Sequence, residues 1–436
     1  MRFRMAGPLL IGILFAAAVP SFGGGFFTGE IGARASGKGG ANIVGEDTLN
    51  ALAINPAALY RSRGTNLMLQ NDFDIYHTSY RREPYLETSY NRNPLDNIQS
   101  IFVATDFHLE KDFTLGFGIF GPYGVTIRYP DNSPARYNAL DINSVQVNFA
   151  LEASWKVADW LAVGGGPTLV SSRIENYYGF SVLRDRNAAY DVKAQFAARK
   201  DYAPGWIAGV IVSPAPWFEF GGSYVPRSPN LAFEGTVTAE LPDFYGVILG
   251  QNVFKDNIRA TIDYPEYWRF GARYIHKDLF DVEVGASFIP WSLVSGYDVD
   301  LEQETILEDF VLELGWQDAW TYRAGTDWRL NEHFRVRGGA FYEEQVAPDS
   351  SLGGGSIETA KTGVGTGFTI SLLGVTTDWA YQHIFVEPYS VPPNPAADVT
   401  DDGRGEIRAS YDRFIGAVNL NFEKILRTYK GGGSKR

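Results

Sequence analysis

The residue types that usually carry catalysis are present in the 436-residue chain, but their spacing matches no catalytic pattern. The five histidines are scattered, at His77, His108, His276, His333 and His383. There is no H-E-x-x-H metal-binding motif, no P-loop and no G-x-S-x-G nucleophile motif. Adjacent carboxylates, such as Glu343 with Glu344, are typical of solvated charge, and catalysis or Ca²⁺ binding is the less favoured alternative. We therefore expect no catalytic residue, no metal and no cofactor.

A different chemistry, the noncovalent binding of apolar molecules, is indicated by the stretch 241–262. This stretch lies between two strand-like segments, yet it is rich in large apolar side chains. An exposed apolar patch is more often a binding surface than an accident. The stretch therefore predicts an outer binding site for a hydrophobic small molecule. Its candidate ligand-binding residues are Phe244, Tyr245, Val247, Ile248 and Leu249.

The elements that must position such a site are β-strands. In residues 144–157, apolar side chains such as Val145 and Trp155 alternate with polar ones such as Gln146. A period of two over this length exceeds a typical soluble strand, and similar patterns recur to residue 422. Short turns and long polar loops alternate strictly between about fourteen such strands, an even number typical of bacterial outer-membrane barrels. We predict an all-β fold, a 14-stranded antiparallel transmembrane β-barrel.

Two segments allow more than one interpretation of their strands, and a third is predicted as a loop. Residues 217–240 contain two prolines, and we expect one long bent strand because proline is tolerated at bends and rims. Residues 297–314 have some strand character but are predicted as part of the loop 295–317, since a further strand would break the alternation. Residues 177–202 are predicted as a long loop with a helix-like run at 188–199.

The two ends of the chain carry different signals. Residues 1–23 combine basic residues, a short apolar run and small residues, which predicts a cleaved secretory signal peptide. Residues 24–60 are rich in Gly and Ala and have no clean periodicity, so we expect a compact hatch that plugs the barrel lumen. The barrel is predicted over 61–422, and residues 423–436 form a C-terminal tail.

Composition narrows the class of protein further. The chain has no cysteine, which excludes disulfides and thiolate metal sites. Aromatic residues make up 14% of the chain, as expected where two aromatic girdles mark the membrane interfaces. The formal net charge of −13 argues against nucleic-acid binding, which needs a basic surface. The expected location is the outer membrane of a Gram-negative bacterium.

Several segments, in order along nearly the whole chain, also carry a family resemblance. They are GGFFTGEIGARASGKGGA and AINPAAL in the hatch, GPYG at 121–124 with RYNAL at 136–140, WKVADWL at 155–161, WQD at 316–318, YRAG at 322–325, RGGAFYE at 337–343, VAPD at 346–349 and YQHIFVE at 381–387. In these segments the chain resembles the FadL-type outer-membrane transporters of long-chain fatty acids and other hydrophobic compounds.

The resemblance implies a route for the ligand. It implies a groove between loops 177–202 and 241–262, although the two loops could instead pack on each other as a lid. It implies that Arg173 lies near a ligand carboxylate, although an ordinary interior cation is an equal alternative. A kink in the third strand would open a lateral gap, and ligand in the inner pocket would shift the hatch N-terminus. The candidate hatch and gate residues are Asn55, Pro56, Ala57, Gly121, Pro122 and Gly124.

The function predicted on these grounds is passive outer-membrane transport of hydrophobic small molecules, with lateral exit into the bilayer. The alternatives are a barrel enzyme such as a phospholipase, and an adhesin or purely structural barrel, which would not need a hatch. The expected partners are a hydrophobic small-molecule ligand, outer-membrane lipid (lipopolysaccharide or phospholipid) and the barrel assembly machinery. We expect a monomer and no nucleic-acid partner.

Overall fold

A computed structural model describes residues 29–82, 87–90, 99–110, 112–133, 136, 140–180, 188–243, 246–247, 250–294, 296–303, 309–349, 352, 358–391 and 405–432. The predicted signal peptide, 1–23, lies outside the described residues. Within the described ranges, 21 strand segments form one antiparallel sheet. The sheet closes on itself because the first strand, Asn66–Arg82, pairs along its whole length with the last, Gly405–Asn421.

The strand segments are β1 (Asn66–Arg82), β2 (Glu87–Tyr90), β3 (Gln99–Glu110), β4 (Phe113–Phe120), β5 (Gly124–Arg128), β6 (Asp141–Ala158), β7 (Leu161–Phe180), β8 (Val192–Ala215), β9 (Phe218–Val225), β10 (Ser228–Glu240), β11 (Val253–Tyr264), β12 (Tyr267–His276), β13 (Phe280–Ile289), β14 (Gly296–Leu301), β15 (Phe310–Glu313), β16 (Ala319–Arg329), β17 (Phe334–Glu343), β18 (Lys361–Leu372), β19 (Val375–Val386), β20 (Tyr389–Val391) and β21 (Gly405–Asn421).

Several of these segments lie end to end and together make up one strand of the barrel wall. For example, β4 and β5 both pair with β6, and β19 and β20 both pair with β21. Grouping such segments leaves fourteen wall strands within the described residues. The prediction of a closed, 14-stranded antiparallel barrel is confirmed.

The two faces of the wall follow the period-two alternation of the sequence. On β6, Leu151 and Trp155 are exposed, whereas Glu152 and Ser154 are buried in the interior. On β16, outward-facing Trp320 and Trp328 are eight residues apart, about 26 Å along a strand. This spacing places aromatic side chains at both edges of an apolar outer band of the height that a membrane barrel needs, about 25 Å.

The extracellular ends of the strands are longer than the sequence indicated. The helix-like run predicted at 188–199 is wrong, because only Ala188–Tyr190 forms a 3₁₀ turn and β8 begins at Val192. Residues 193–199 pair with β7 on one side and β10 on the other, so two hydrogen-bonded ladders override local helix propensity. Likewise, β14 and β15 extend into 295–317, which was predicted as a loop.

The segment 217–240 forms one bent path, as predicted. It is divided into β9 and β10 at Pro226 and Arg227, and both parts pair with the same neighbour, β8. Its other neighbours, β12 and β11, are separated at Pro265 in the same way. Proline lacks the backbone donor that a sheet ladder requires, so both strands bend at this level.

The hatch occupies the interior near the short-turn end of the barrel. It contains α1 (Ala33–Gly37), α2 (Ala51–Ile54) and a 3₁₀ helix, Pro56–Arg61, and most of its residues are buried. Wall glycines let its backbone approach closely. A Cβ atom at Gly325 or Gly339 would lie 2.2 or 2.1 Å from the carbonyl oxygen of Lys38. Glycine is required at these two wall positions because no side chain fits there.

A third helix, α3 (Phe422–Gly432), follows the last strand, where the sequence predicted only a tail. It is amphipathic, with Leu426 and Tyr429 exposed. No helix in the described ranges is both long and apolar enough to cross a membrane.

Candidate functional site: a cavity beside an interrupted wall strand

The third wall strand is interrupted at Gly121–Tyr123. On one side of this break Phe120 pairs with Asn148, and on the other Gly124 pairs with Val145. Three residues of the third strand therefore oppose two of β6, which is the geometry of a β-bulge. Pairing between β3 and β4 ends at Val103 with Ile119, and β5 pairs with β6 alone among the described strands.

A cavity lies inside the barrel next to this interruption. The empty space between its lining residues, which includes space open to solvent, is about 690 Å³. The hatch contributes Leu52 and Ala53 to its lining, and the interrupted strand contributes Phe120, Pro122 and Tyr123. The remaining lining comes from β6–β12 and includes Gln146, Asn148, Glu152, Val170, Trp206, Ile207, Tyr264, Tyr267 and Arg269. The cavity thus joins the hatch to the break in the wall.

The Asn55-Pro56-Ala57 segment of the hatch is fixed by neutral hydrogen bonds. The Asn55 side chain is fully buried, accepts from the backbone N–H of Ala57 at 3.2 Å and donates to the carbonyl of Ile43 at 3.1 Å. Ser154 of β6 donates to the Ala57 carbonyl at 3.0 Å and accepts from the Tyr60 N–H at 3.1 Å. This segment therefore docks on β6, the strand that carries the bulge partners.

The earlier part of the hatch is fixed by buried ion pairs with the opposite wall. Lys38 lies 2.9 Å from Asp281, and Arg34 lies 2.9 Å from Asp378. Glu30 lies 3.2 Å from Arg269 and accepts a hydrogen bond from the Tyr267 hydroxyl at 2.7 Å.

Ion pairs with arginines lower the pKa values of two hatch carboxylates, Glu30 and Asp47. Burial alone would raise the pKa of Glu30, but the charges of Arg269 and Arg323 outweigh burial and hold that pKa below its ordinary value. Burial likewise opposes the ionised form of Asp47, yet Arg34 and Arg335 hold its pKa far below the ordinary range. Both carboxylates are therefore charged at neutral pH.

Arg173 does not lie where the sequence placed it. Its side chain is 69% exposed and pairs with Glu175 on the outer face of the barrel. Its register partner on β6 is Val145, which also faces outward, whereas the adjacent Ser172 is buried inside. Because neighbours in a strand face opposite sides, the predicted interior position of Arg173 is wrong.

The predicted outer loop site is described only in part. Phe244, Tyr245, Ile248 and Leu249 lie outside the described residues, and Val247 is 86% exposed. At the start of this loop, Leu241 packs on a small apolar cluster formed by Val192, Ala194 and Ala239, together with Tyr178 and Phe196. The tops of β7, β8 and β10 therefore border this region.

The lining residues Glu152, Tyr264 and Arg269 are not among the site residues predicted from the sequence. Each occupies an inward position of a strand, so the alternation pattern contained the signal that they face the interior. What the pattern lacked was the closure of the barrel, which brings β6, β11 and β12 around one space.

Comparison with known proteins agrees with this architecture. The sequence model described as "Outer membrane protein transport protein (OMPP1/FadL/TodX)" matches residues 14–421. The chain belongs to this family. It is therefore an outer-membrane protein of a transporter family that carries hydrophobic compounds, and it is not an enzyme. None of the curated proteins is similar enough in sequence to match.

Solved structures of the OMPP1/FadL/TodX type share the fold. A FadL homologue of Pseudomonas aeruginosa has a TM-score of 0.78 and 16% identity, covering 91% of this chain and 99% of its own. The toluene transporter TodX of P. putida has a TM-score of 0.70 and 14% identity, covering 90% and 98%. The toluene transporter TbuX of Ralstonia pickettii has a TM-score of 0.67 and 16% identity, with the same coverage.

Proposed function

We propose that this protein carries hydrophobic small molecules passively from the cell surface, through its internal cavity, and sideways into the outer membrane beside the bulge. The observation that supports this proposal is the cavity itself, which touches both the hatch and the interrupted strand at Phe120–Tyr123. A lateral exit spares an apolar molecule from crossing a water-filled lumen. Each CH₂ group kept out of water contributes about 0.8 kcal/mol.

The proposed gate has two parts. The bulge at Gly121 and Pro122 holds β5 apart from β3, and the segment Asn55–Ala57 docks on the adjacent β6. Ligand in the cavity contacts Leu52 and Ala53, directly before this segment. Movement follows only if the ligand binds the undocked hatch more tightly than the docked one.

The proposed substrates are apolar small molecules, because many of the residues that line the cavity are apolar. Long-chain fatty acids and aromatic hydrocarbons are the two candidate substrate classes, and two structurally similar proteins are toluene transporters by name. The apolar loop residues from Phe244 to Leu249 form the proposed first capture site at the cell surface. We further propose a monomer, inserted by the barrel assembly machinery, whose outer wall contacts lipopolysaccharide and phospholipid.

Uptake measurements in a host that lacks its own transporter of this type test the proposal. Cells that express the protein should accumulate labelled oleate or toluene faster than cells with an empty vector. Deletion of residues 24–57 should abolish or deregulate this uptake, whereas Glu175→Ala, which changes only the outer face, should not. Mass spectrometry after gentle purification should recover a hydrophobic ligand. Uptake equal to that of the empty vector, with no recovered ligand, would contradict the proposal.

A further inference from the structure

One carboxyl group differs in its hydrogen bonding from the other buried carboxyl groups of the described wall strands. Glu152 on β6 is 1% exposed, and neither of its carboxyl oxygens has a hydrogen-bond partner among the described residues. It lines the cavity beside the hatch. Directly across the β4–β6 ladder is Gly116, where the atoms nearest to an added Cβ atom belong to the side chains of Leu59 and Leu52.

The contrast with other buried carboxylates of the same wall is informative. Asp281 and Asp378 lie 2.9 Å from Lys38 and Arg34, and Glu283 accepts from the backbone N–H groups of Val44 and Gly45. Those carboxylates hold the hatch in place. An unpaired buried polar group costs free energy, so Glu152 needs a partner that the hatch does not supply.

We propose that Glu152 recognises the hydrogen-bond donor of an otherwise apolar, uncharged ligand, such as a phenol or an alcohol. This inference rests on the proposed function, because it takes the cavity as the path of the transported molecule. The apolar lining from Phe120, Val170 and Ile207 would hold the hydrocarbon body, while the carboxyl group accepts the hydroxyl hydrogen. A donor placed there satisfies a buried acceptor that is otherwise orphaned.

A cation in the same lining favours a different ligand, and the structure argues against it. Arg269 also borders the cavity, and its Nη1 has no hydrogen-bond partner among the described residues. Its Nε is nevertheless engaged, since it lies 3.2 Å from both oxygens of Glu30, a carboxylate that Arg269 shares with Arg323. A carboxylate ligand would have to compete with Glu30 for Arg269, and it would share the cavity with the carboxyl group of Glu152. We therefore expect a carboxylate to bind less tightly than a phenol with the same hydrocarbon body.

Three matched probes distinguish these possibilities: ethylbenzene, 4-ethylphenol and 4-ethylbenzoate. The full chain is placed in lipid nanodiscs, and equilibrium dialysis of each labelled probe is corrected with empty nanodiscs. The phenol should bind about tenfold more tightly than ethylbenzene, as expected for one satisfied buried hydrogen bond. In Glu152→Leu the ratio of the affinity for 4-ethylphenol to that for ethylbenzene should fall to about one. Glu152→Gln keeps one acceptor oxygen and should retain part of the preference for the phenol. Glu175→Leu, the same change on the outer face, should leave the ratio intact.

Each of the other possible binding results contradicts one specific part of the proposal. If all three probes bind but Glu152→Leu leaves the ratio unchanged, the role of Glu152 is refuted while transport through the cavity stands. If 4-ethylbenzoate binds most tightly, Arg269 is the recognition residue instead. If no probe binds above empty nanodiscs, the proposed function falls together with the inference. Heat-modifiable migration in electrophoresis verifies that each variant folds as a barrel. If Glu152→Leu does not fold, the wild-type protein still tests the inference, because equal affinities for 4-ethylphenol and ethylbenzene would refute it.

Discussion

The two halves of the hatch are attached to the barrel by different chemistry. Residues 29–50 are joined to the wall by buried ion pairs, among them Lys38 with Asp281 and Glu30 with Arg269. Residues 51–60 are joined by neutral hydrogen bonds through Ser154 and by apolar contacts, and only the following residue, Arg61 at the end of the 3₁₀ helix, pairs with the wall residue Glu219, at 2.8 Å. The second half is also the one that borders the cavity.

This difference indicates which half a ligand is able to move. Breaking a buried ion pair by removing one partner costs about 3–5 kcal/mol, whereas a neutral hydrogen bond contributes about 0.5–1.5 kcal/mol. A small apolar ligand supplies a differential affinity of only a few kcal/mol. We therefore expect residues 51–60 to move, while the hatch N-terminus, which the family resemblance suggested as the trigger, stays anchored. The following predictions test that division, from the largest expected effect to the smallest.

Removing an anchor of the first half should have the largest effect. Glu30→Ala leaves Arg269 and Arg323 buried without their shared carboxylate and should destabilise the docked hatch by about 3–5 kcal/mol. Hydrogen–deuterium exchange should rise throughout residues 29–50, and conductance in planar bilayers should increase. Glu175→Ala, which breaks an exposed pair on the outer face, serves as the control and should cost no more than about 1 kcal/mol. Unchanged exchange would show that the ion pairs do not anchor the hatch.

Locking the second half should stop transport. Because the chain has no native cysteine, Ala57→Cys with Ser154→Cys introduces a single disulfide across the 3.0 Å contact between the hatch and β6. Oxidation should lower uptake by roughly tenfold or more, which corresponds to at least 1.4 kcal/mol added to opening. Reduction should restore uptake. Full uptake by the oxidised protein would mean that this segment does not move.

Crowding the second half should loosen it without disturbing the first. A Cβ atom at Gly209 would lie 2.0 Å from the side-chain oxygen of Asn55, so Gly209→Ala should cost about 1–3 kcal/mol of hatch docking. Exchange should increase in residues 51–60 only. Gly338→Ala is a matched control, because its Cβ would meet nothing closer than 4.0 Å. Equal changes in both halves would show that the hatch moves as one unit.

Altering the bulge should affect uptake more modestly. Gly121→Val places a side chain against the carbonyl of Gln146, which a Cβ atom would approach to 2.9 Å. We expect uptake to slow severalfold in Gly121→Val and Gly124→Val, with normal barrel assembly and unchanged exchange in the hatch. Heat-modifiable migration and initial uptake rates measure the two properties. Unchanged rates would remove the lateral exit from the proposal.

Acidification should produce the smallest change across the physiological range. The pKa values of Glu30 and Asp47 lie below their ordinary values, so their contribution to docking is present above about pH 4 and is lost as the pH falls through the lower folded-state values. Burial and Asp47 raise the pKa of Glu46, whose contribution therefore weakens as the pH rises. Conductance should stay nearly constant from pH 7 to 5 and rise below about pH 4. A rise centred near neutral pH would contradict this assignment.

The sequence by itself determined the barrel and the side of the wall on which most residues lie. The alternation in residues 144–157 placed Trp155 outside and Gln146 inside, because strand geometry is local and repeats every two residues. The same local rule, applied to Arg173, would have placed it outside with Val145, and only the family resemblance suggested otherwise.

Tertiary structure alone decided the contacts that govern transport. The partners of the hatch lie far away in sequence, as with Lys38 and Asp281 or Ala57 and Ser154, and no local pattern encodes such pairings. The extension of β8 through residues 192–199 likewise depends on ladders formed with two other strands. Glu152 is an ordinary inward residue in the sequence, and closure of the wall around the hatch is what leaves its carboxyl group buried without a partner among the described residues. These contacts and the burial of Glu152 depend on closure of the barrel wall, because side chains are buried and strands are paired only when segments distant in sequence come together.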